Sequence, residues 1–329
     1  MSREIVLDQW LQDVLGAPDV ERLPLSNDAS FRKYYRIVLH ERSYVVMDAP
    51  SPENPSVFCD VALMLKSNKV KVPDILQSNL SQGFLLLSDF GDRLYLKELN
   101  EATADKLYQD AFLALLQIQA CKGSVPEFDK AFLSRQMDVF KEWYLERHLD
   151  IRLLGAQLKL IASLLDTLIQ VIESQPKVFV HRDYHSRNLM ILEHGNPGVL
   201  DFQDAMIGPI TYDLVSLLQD CYIAWPRSQV EVWVARYQDV AQKAGLLSKN
   251  ISREEFLRWF DLTGLQRHLK NLGIFSRLYY RDGKAHYLKD IPLVCRYIRE
   301  TYQRFEELKP YASVFDLVLS EDNRVKCAP

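Results

Sequence analysis

The stretch His181–Asp204, HRDYHSRNLMILEHGNPGVLDFQD, constrains the fold of this chain more than any other. It contains two short apolar runs, Leu189–Leu192 and Gly198–Leu200, separated by the turn residues Glu-His-Gly-Asn-Pro. Short apolar runs around a turn that contains Gly and Pro predict a β-hairpin. The hairpin would bring Asn188, which precedes the first run, close to Asp201, which follows the second. We therefore expect these two side chains to share one site.

Three polar side chains in this stretch have the order that phosphoryl transfer requires. Asp183 lies five positions before Asn188, and Asp201 stands directly before Phe202. Phosphoryl transfer from ATP uses one carboxylate at the acceptor hydroxyl, together with an Asn and a second Asp that hold Mg²⁺. The order H-R-D-x-x-x-x-N and then D-F matches the pattern of kinase catalytic loops. The competing interpretation is a pair of turns that contain Asp and Asn by chance, and the accompanying hairpin pattern argues against it.

Three further residues, two within this stretch and one after it, are candidates for a role in the same site. We expect His181 to brace the loop through hydrogen bonds and not to act as a base. Arg187 would either place a charge near the transferred phosphoryl group or lie on the surface. Asp213, in the segment GPITYDL, would either cap the next helix or brace the catalytic loop.

The composition argues against several other classes of protein. The chain has 40 basic and 44 acidic side chains and a net charge of -4, whereas general nucleic-acid binding needs a basic surface. The N-terminus MSREIVLDQW lacks the long apolar core of a signal peptide, and no uncharged apolar run approaches the roughly 20 residues of a membrane span. Neither a disulfide framework nor a zinc site is indicated by the five scattered cysteines, Cys59, Cys121, Cys221, Cys295 and Cys327. We expect a cytoplasmic enzyme with no nucleic-acid or membrane partner, of undetermined oligomeric state.

The apolar periodicity predicts a small sheet followed by a mainly helical region. In the first part we predict a helix at 4–16 and a short helix at 57–65, with strands at 31–39, 44–47, 72–76 and 83–87. Later helical patterns occur at 211–224, 229–245, 254–280 and 290–308. We place the domain boundary after residue 88. Residues 1–88 would form an N-terminal nucleotide-binding lobe, and residues 89–329 a C-terminal lobe with the catalytic loop (181–204) and a helical substrate-binding region (211–319).

The short distance from Asp201 to Asp213 narrows the class of kinase. Twelve positions cannot contain a regulated activation segment, and no A-P-E follows, so a protein kinase does not fit. The segments HRDYHSRN, LDF and GPITYDL resemble the aminoglycoside phosphotransferase and choline kinase superfamily. The resemblance implies an α+β, two-lobed, protein-kinase-like fold with a small antiparallel N-terminal sheet lobe and a larger helical C-terminal lobe. It also implies a small-molecule substrate.

Three more segments are similar to the bacterial anomeric sugar kinases, which phosphorylate N-acetylmuramate and N-acetylglucosamine in cell-wall recycling. These segments are SNDASFRKYYRI followed by YVVMDAP, and QRHLKNLGIFSRLYYRDGKAHYLKDIP. The resemblance implies ATP and Mg²⁺ as cofactors, Asp183 as base, and Asn188 and Asp201 as metal ligands. It implies an adenine-contacting hinge that includes Leu86, Leu87 and Asp89. It also implies a loop above the ATP phosphates that consists of Ser26, Asn27, Asp28, Ala29, Ser30 and Phe31.

One departure from the kinase pattern concerns the phosphate-binding lysine. Kinases place it on the third strand in a V-A-I-K-like pattern, but here Val45-Val46 is followed by Met47 and Asp48. A thioether cannot pair with phosphate. Arg32, Lys33 or Arg36 would supply the missing charge, and strand alternation puts Arg32 and Arg36 on the face opposite to Lys33. A surface role is an equal alternative for each of the three.

A basic segment between Asp261 and Asp290 has a possible substrate-binding role. Helical spacing predicts one shared face for Arg267, Lys270, Arg277, Arg281 and Lys284. The face is either a solvated surface or an anion-accepting wall, and the second suits the lactyl carboxylate of N-acetylmuramate. Gln266, Arg267, His268 and the loop residue Arg187 are our candidate sugar contacts. The alternatives are an aminoglycoside- or choline-type phosphotransferase, or a nucleotide-binding pseudokinase, which the missing strand lysine would suit.

Overall fold

The chain divides into two compact units, and neither is continuous in sequence. The structure, a computed structural model, describes residues 2–18, 20–25 and 31–319. The first unit comprises Met1–Gln117 and Arg187–Asp204, and the second comprises Ile118–Ser186 and Ala205–Pro329. The boundary placed after residue 88 divides the chain by function and stays a prediction.

The elements follow one another in an α+β order, which confirms the predicted fold class. The strands are β1 (Leu23–Pro24), β2 (Lys33–Leu39), β3 (Arg42–Asp48), β4 (Ile75–Asn79), β5 (Phe84–Ser88), β6 (Lys177–Val180), β7 (Leu189–Met190), β8 (Gly198–Val199) and β9 (Met206–Pro209). The α-helices are α1 (Arg3–Leu15), α2 (Pro55–Ser67), α3 (Tyr95–Glu98), α4 (Ala104–Gln119), α5 (Lys130–Val139), α6 (Gly155–Glu173), α7 (Tyr212–Leu218), α8 (Arg227–Lys243), α9 (Arg253–Asp282), α10 (Ile291–Arg304) and α11 (Ala312–Leu319). The remaining helices are a π-helix (Phe140–His148) and two 3₁₀ helices (Ala285–Asp290 and Glu306–Tyr311).

The first unit is organised around an antiparallel sheet of order β1-β2-β3-β5-β4. Strand β5 is apolar because both of its faces are covered. Leu86 packs in a core with Leu7 and Leu11 of α1, while its neighbour Leu87 faces the opposite side of the sheet and lines a cleft. The predicted strand at 72–76 is wrong in position, since β4 begins only at Ile75. Pro73, which cannot donate a ladder hydrogen bond, lies inside the range that we predicted.

The second unit is mainly helical, and α9 is its longest helix. Nearly every residue of α9 from Phe256 to Ser276 is buried, so neighbouring helices cover it on several sides. Gly273 permits an especially close approach, because a Cβ at this position would lie 2.6 Å from the carbonyl oxygen of Val139 at the start of the π-helix. Two predicted helices are wrong in extent. The helix predicted at 211–224 ends at Leu218, and the one predicted at 290–308 is interrupted after Arg304.

Among the described residues, α6 is the one helix whose length and composition would allow it to cross a membrane. Its apolar residues form a stripe and not a continuous surface. The buried members of this stripe are Ile161, Leu164, Leu165, Leu168, Ile169, Val171 and Ile172. Such a stripe is typical of a helix that packs one face against a protein core.

Candidate active site

The predicted hairpin forms, and it belongs to the first unit. Leu189 of β7 pairs with Val199 of β8, and the amide of Leu200 donates to the carbonyl oxygen of Asn188 at 2.9 Å. This pairing places Asn188 and Asp201 at the open end of the hairpin. Both side chains line the same cleft, as does that of Arg187.

The turn of the hairpin is held by Asn196, which the sequence analysis missed. The Asn196 side chain accepts from the amide of Leu192 at 3.2 Å and donates to the Tyr95 hydroxyl at 2.8 Å. It also donates to Asp110 at 3.1 Å. Burial raises the pKa of the Tyr95 hydroxyl, so that hydroxyl stays protonated. This network fixes the turn and thereby the positions from which Asn188 and Asp201 project.

The cleft in the first unit has a volume of about 360 Å³ and is mainly apolar. Its apolar lining includes Leu25, Val45, Phe58, Leu87, Met190, Leu200 and Phe202. The rings of Phe58 and Phe202 lie 4.6 Å apart at their centroids, which joins α2 to the segment after β8. Aromatic and aliphatic walls of this kind suit a flat purine base. The hinge residues Leu87 and Asp89 both line the cleft, whereas the Leu86 side chain lies in the core.

The polar end of the cleft has the chemistry of a Mg²⁺ site. Asp201 adopts a left-handed backbone conformation with φ of 60°, and its Oδ1 accepts from the Gln203 side chain at 2.8 Å. A strained conformation of a non-glycine residue is more frequent at functional sites than elsewhere. Among the residues that the structure describes, no three His, Cys, Asp or Glu side chains cluster to hold a metal. A Mg²⁺–ATP site needs no such cluster, because one or two protein oxygens suffice beside waters and phosphates. Asn188 and Asp201 fit that requirement.

The structure shows what occupies the position of the strand lysine, and one of the three candidate replacements, Arg36, is engaged elsewhere. Met47 is fully buried in the sheet opposite Leu85, and Asp48 pairs with Arg3. Arg36 donates from Nε to Asp89 Oδ2 at 2.6 Å and from Nη1 to Asp92 Oδ1 at 2.6 Å. Arg36 is therefore occupied by the hinge. We call Arg36, Asp89 and Asp92 the hinge clamp.

The other two candidate cations differ in exposure. Arg32 is buried and pairs with Glu53 at 3.4 Å, and Lys33 is exposed at the start of β2. Arg32 therefore stays a predicted nucleotide contact. The predicted phosphate loop, Ser26, Asn27, Asp28, Ala29 and Ser30, lies outside the described residues.

The part of the predicted catalytic loop that belongs to the second unit, residues 181–186, is held at its start by Asp213. The carboxylate accepts from the backbone amides of His181 at 2.6 Å and Arg182 at 2.9 Å. Asp213 thus braces the loop, which was one of its two predicted roles. Burial raises the pKa of Asp213 to about 6, while His181 and the two amides act in the opposite direction. Arg182 is held with φ of 79°, again a strained backbone.

A second carboxylate, Asp220, holds the end of the same loop, and no local pattern indicated it. Asp220 Oδ2 accepts from the amide of Ser186 at 3.0 Å and from its hydroxyl at 2.5 Å. Asp220 Oδ1 accepts from the amide of Tyr222 at 3.0 Å. Asp213 lies in the first turn of α7 and Asp220 just beyond its end, so this one short segment fixes both ends of the loop. We call these two residues the loop braces.

Asp183 lies in the loop that these braces hold and next to two buried cations. Its carboxylate is 3.8 Å from Nη2 of Arg267, which donates to the Ser216 hydroxyl at 2.6 Å. Lys270 donates to the Tyr212 hydroxyl at 3.4 Å. Burial acts to raise the pKa of Asp183, but Lys270 and Arg267 outweigh it and hold that pKa well below its usual range. Asp183 is therefore ionised at neutral pH and is a weak base.

His185, two residues after Asp183, also belongs to this polar cluster. Its ring packs edge-on against Tyr222 with centroids 5.4 Å apart, and burial lowers the pKa of the imidazole. Its Nδ1 atom is buried and makes no hydrogen bond to the described residues. Its position two residues after Asp183 is the one sequence feature that could have indicated His185 as a member of this cluster.

The predicted sugar contacts on α9 lie deeper than expected. Gln266 and His268 are fully buried. Gln266 donates to the Gln136 side chain at 2.8 Å, and the His268 ring stacks on Tyr297 with centroids 4.9 Å apart. These two residues stay predictions. The predicted common face is wrong at its end, because α9 stops at Asp282 and Lys284 lies beyond it.

Comparisons with known proteins identify the family of this chain. The family model described as "Phosphotransferase enzyme family" matches residues 21–247. A protein of Pseudomonas aeruginosa named N-acetylmuramate/N-acetylglucosamine kinase is 46% identical over 294 residues, which is 88% of this chain and 86% of that protein. A protein of the same name from Neisseria meningitidis is 41% identical over 330 residues and covers 98% of both chains.

Solved structures with low sequence identity share the fold. Choline kinase LicA from Streptococcus pneumoniae superposes with a TM-score of 0.64 at 12% identity, covering 90% of this chain and 99% of that chain. The ADP-bound aminoglycoside phosphotransferase APH(2'')-Ib gives 0.61 at 16% identity, covering 92% and 99%. Because the family model spans more than half of the sequence and the named relatives cover nearly all of it, the chain belongs to the phosphotransferase enzyme family.

Proposed function

We propose that this phosphotransferase is an ATP- and Mg²⁺-dependent sugar kinase of the cytoplasm. It phosphorylates the anomeric hydroxyl of N-acetylmuramate and N-acetylglucosamine, and the sugar 1-phosphates serve cell-wall recycling. The observation that carries the proposal is the identity of 41–46% to relatives that bear the name of this activity, over at least 86% of each chain. The intact set of Asp183, Asn188 and Asp201 supports it from the chemistry of the site.

In this mechanism Asp183 orients the acceptor hydroxyl and takes its proton late. The neighbouring Lys270 and Arg267 make the carboxylate a weak base. A weak base suffices, because the transition state of phosphoryl transfer is loose and needs little deprotonation of the nucleophile. An anomeric hydroxyl is also more acidic than the other hydroxyls of a sugar. The low pKa of Asp183 therefore suits a hemiacetal acceptor.

The nucleotide site in this proposal consists of the apolar cleft and its polar end. The adenine ring would lie between the apolar walls. Asn188 and Asp201 would hold Mg²⁺, which would neutralise charge on the ATP phosphates. Met47, which is buried in the sheet, stands where kinases place the phosphate-binding lysine of the third strand. Arg187, which lines the same cleft, is the candidate for an additional charge near the phosphates.

The proposal is tested by measuring ADP release with purified protein, ATP and a panel of acceptors. The panel contains N-acetylmuramate, N-acetylglucosamine, an aminoglycoside and choline. We expect release that depends on either amino sugar and is absent with the other two. Release with the aminoglycoside or choline alone would replace the sugar-kinase proposal with the corresponding phosphotransferase.

A second candidate function is motivated by the absence of the strand lysine. A pseudokinase would bind nucleotide in the cleft without transferring phosphate. Turnover in the same panel that is lost in Asp201→Ala would eliminate this candidate. Tight nucleotide binding without turnover of any acceptor would favour it.

A further inference from the structure

One face of α9 carries a row of cations that begins beside the catalytic carboxylate. Arg267 lies 3.8 Å from Asp183, and Lys270 lowers the pKa of the same carboxylate. Arg277 follows Lys270 by seven residues and Arg281 follows Arg277 by four, so these three side chains share one helical face. At about 1.5 Å of rise per residue, the backbone of Arg277 lies roughly 10 Å beyond that of Lys270.

Three of the four cations are engaged by other side chains. Arg267 donates to the Ser216 hydroxyl at 2.6 Å, and Lys270 donates to that of Tyr212 at 3.4 Å. Arg281 holds the carboxylate of its neighbour Asp282 with two hydrogen bonds of 2.7 and 2.9 Å. A guanidinium whose Nε and Nη2 already hold a carboxylate has its charge neutralised and binds a second anion less strongly.

Arg277 is different, because its side chain is half-buried and forms no ion pair with any residue that the structure describes. Its Nε atom is buried and has no hydrogen-bond acceptor among the described residues. Burial lowers the pKa of Arg277, and the like charge of Arg281 lowers it further. The acidic groups that face it are Glu142 of the π-helix and Asp282, which Arg281 already holds. A buried donor without an acceptor costs stability unless a ligand satisfies it.

We propose that Arg277 binds the lactyl carboxylate of N-acetylmuramate and thereby sets the preference between the two sugars. This inference depends on the function proposed above. The carboxylate is the one charged group that N-acetylmuramate has and N-acetylglucosamine lacks. A hexose whose anomeric hydroxyl contacts Asp183 extends its 3-O-lactyl group away from that carboxylate. The spacing along α9 matches this extension, and a guanidinium binds a carboxylate through two parallel hydrogen bonds.

The test compares kcat/KM for both sugars in the wild type, Arg277→Met and Arg281→Met. For N-acetylmuramate we expect Arg277→Met to lower kcat/KM by about 10- to 100-fold, the range for loss of a charged hydrogen bond. N-acetylglucosamine has no carboxylate to lose, so its kcat/KM should change far less. Arg281→Met removes an equal charge from the same face, but this charge is bound to Asp282. Its two kcat/KM values should keep the wild-type ratio.

An ester of the substrate adds a comparison within the wild type, and the result of that comparison does not depend on whether the variant folds. In the wild type, the methyl ester of N-acetylmuramate should behave like N-acetylglucosamine, and in Arg277→Met the acid and the ester should become equivalent. If the wild type turns over both sugars and the acid-to-ester ratio is the same in Arg277→Met, or is already near one in the wild type, the inference is overturned while the kinase function stands. If the wild type turns over neither sugar, the proposed function is wrong, and the inference about Arg277 is wrong as well.

Discussion

The cleft of the first unit, which we propose binds the nucleotide, and residues 181–186 of the second unit, which contain the proposed base, differ in polarity. The cleft is walled by apolar side chains such as Phe58 and Phe202, and its charged lining consists of the hinge clamp, the polar end and Lys97. The loop is held by the carboxylates of Asp213 and Asp220, which accept from its backbone amides. Two buried cations, Arg267 and Lys270, lower the pKa of Asp183, the carboxylate that we propose as the base.

This difference indicates how each region contributes to the reaction. An apolar cleft binds by shape and by exclusion of water, and it holds substrate and transition state about equally. A loop whose polar groups are fixed before substrate arrives contributes where charge develops, in the transition state. Changes in the cleft should therefore alter KM for the nucleotide, and changes in the loop should alter kcat.

The largest effect is expected from Asp183→Ala. If Asp183 positions the acceptor hydroxyl, kcat should fall on the order of 10³-fold or more, because positioning and general base assistance are both lost. Steady-state kinetics with saturating ATP and sugar give the number. Nucleotide affinity, measured by thermal shift with ATP, should be retained. A near-normal rate would remove Asp183 from the mechanism.

The next largest effect concerns Asp220, the loop brace that no pattern predicted. Asp220→Ala leaves the buried amide and hydroxyl of Ser186 without their acceptor, and we expect kcat to fall by about 10- to 100-fold with little change in either KM. Ser186→Ala removes only the hydroxyl and should lose less, whereas Ser186→Thr should keep most of the rate. An equal rise in both KM values with normal kcat would show that Asp220 serves overall packing.

The features that were predictable from the sequence depend on local signals, and the features that were not depend on residues far apart in the chain. The hairpin around Asn188 and Asp201 was predictable because runs and turns are local signals, and β5 was predictable as a buried apolar strand. The loop brace Asp220, the hinge clamp and the Asn196 network were not. Each depends on side chains 34 to 101 positions apart that meet only after folding. Periodicity within one element carries no information on such pairs.

The π-helix Phe140–His148 was missed for a related reason. Its residues have no distinctive local pattern, and its register is set against α9, where Gly273 allows the close backbone approach. The basic segment was also misjudged in part. Helical spacing placed Arg267 on a shared face, but only the structure shows that the side chain is buried next to Asp183.

A smaller effect is expected from Arg36→Met, which tests the contribution of the cleft in the first unit. The hinge clamp fixes Asp89 at the edge of the cleft, so its loss should raise KM for ATP by about tenfold through the loss of charged hydrogen bonds. The value of kcat should stay close to that of the wild type. Arg42→Met, on the adjacent strand and exposed, is the matched control. A drop in kcat without a change in KM would contradict the division between the two regions.

The smallest effect at neutral pH is expected from Lys270→Met. Lys270 and Arg267 hold the pKa of Asp183 low, so removal of Lys270 should raise that pKa. Asp183 acts when ionised, and the loss of kcat/KM on the acid side should therefore move to higher pH in the variant. Rates are compared across the pH range in which both proteins keep their circular dichroism spectra. Superimposable acid limbs would show that Lys270 does not face the catalytic carboxylate.

The central claim is that phosphate is transferred to the anomeric oxygen of an amino sugar. It is tested most directly by ¹H–³¹P correlation NMR of the products from ATP with N-acetylmuramate and with N-acetylglucosamine. The account predicts that phosphorus is coupled to the anomeric proton of both products, and that no such signal forms with Asp183→Ala. Coupling to the protons at C6, or the absence of any sugar phosphate, would contradict it.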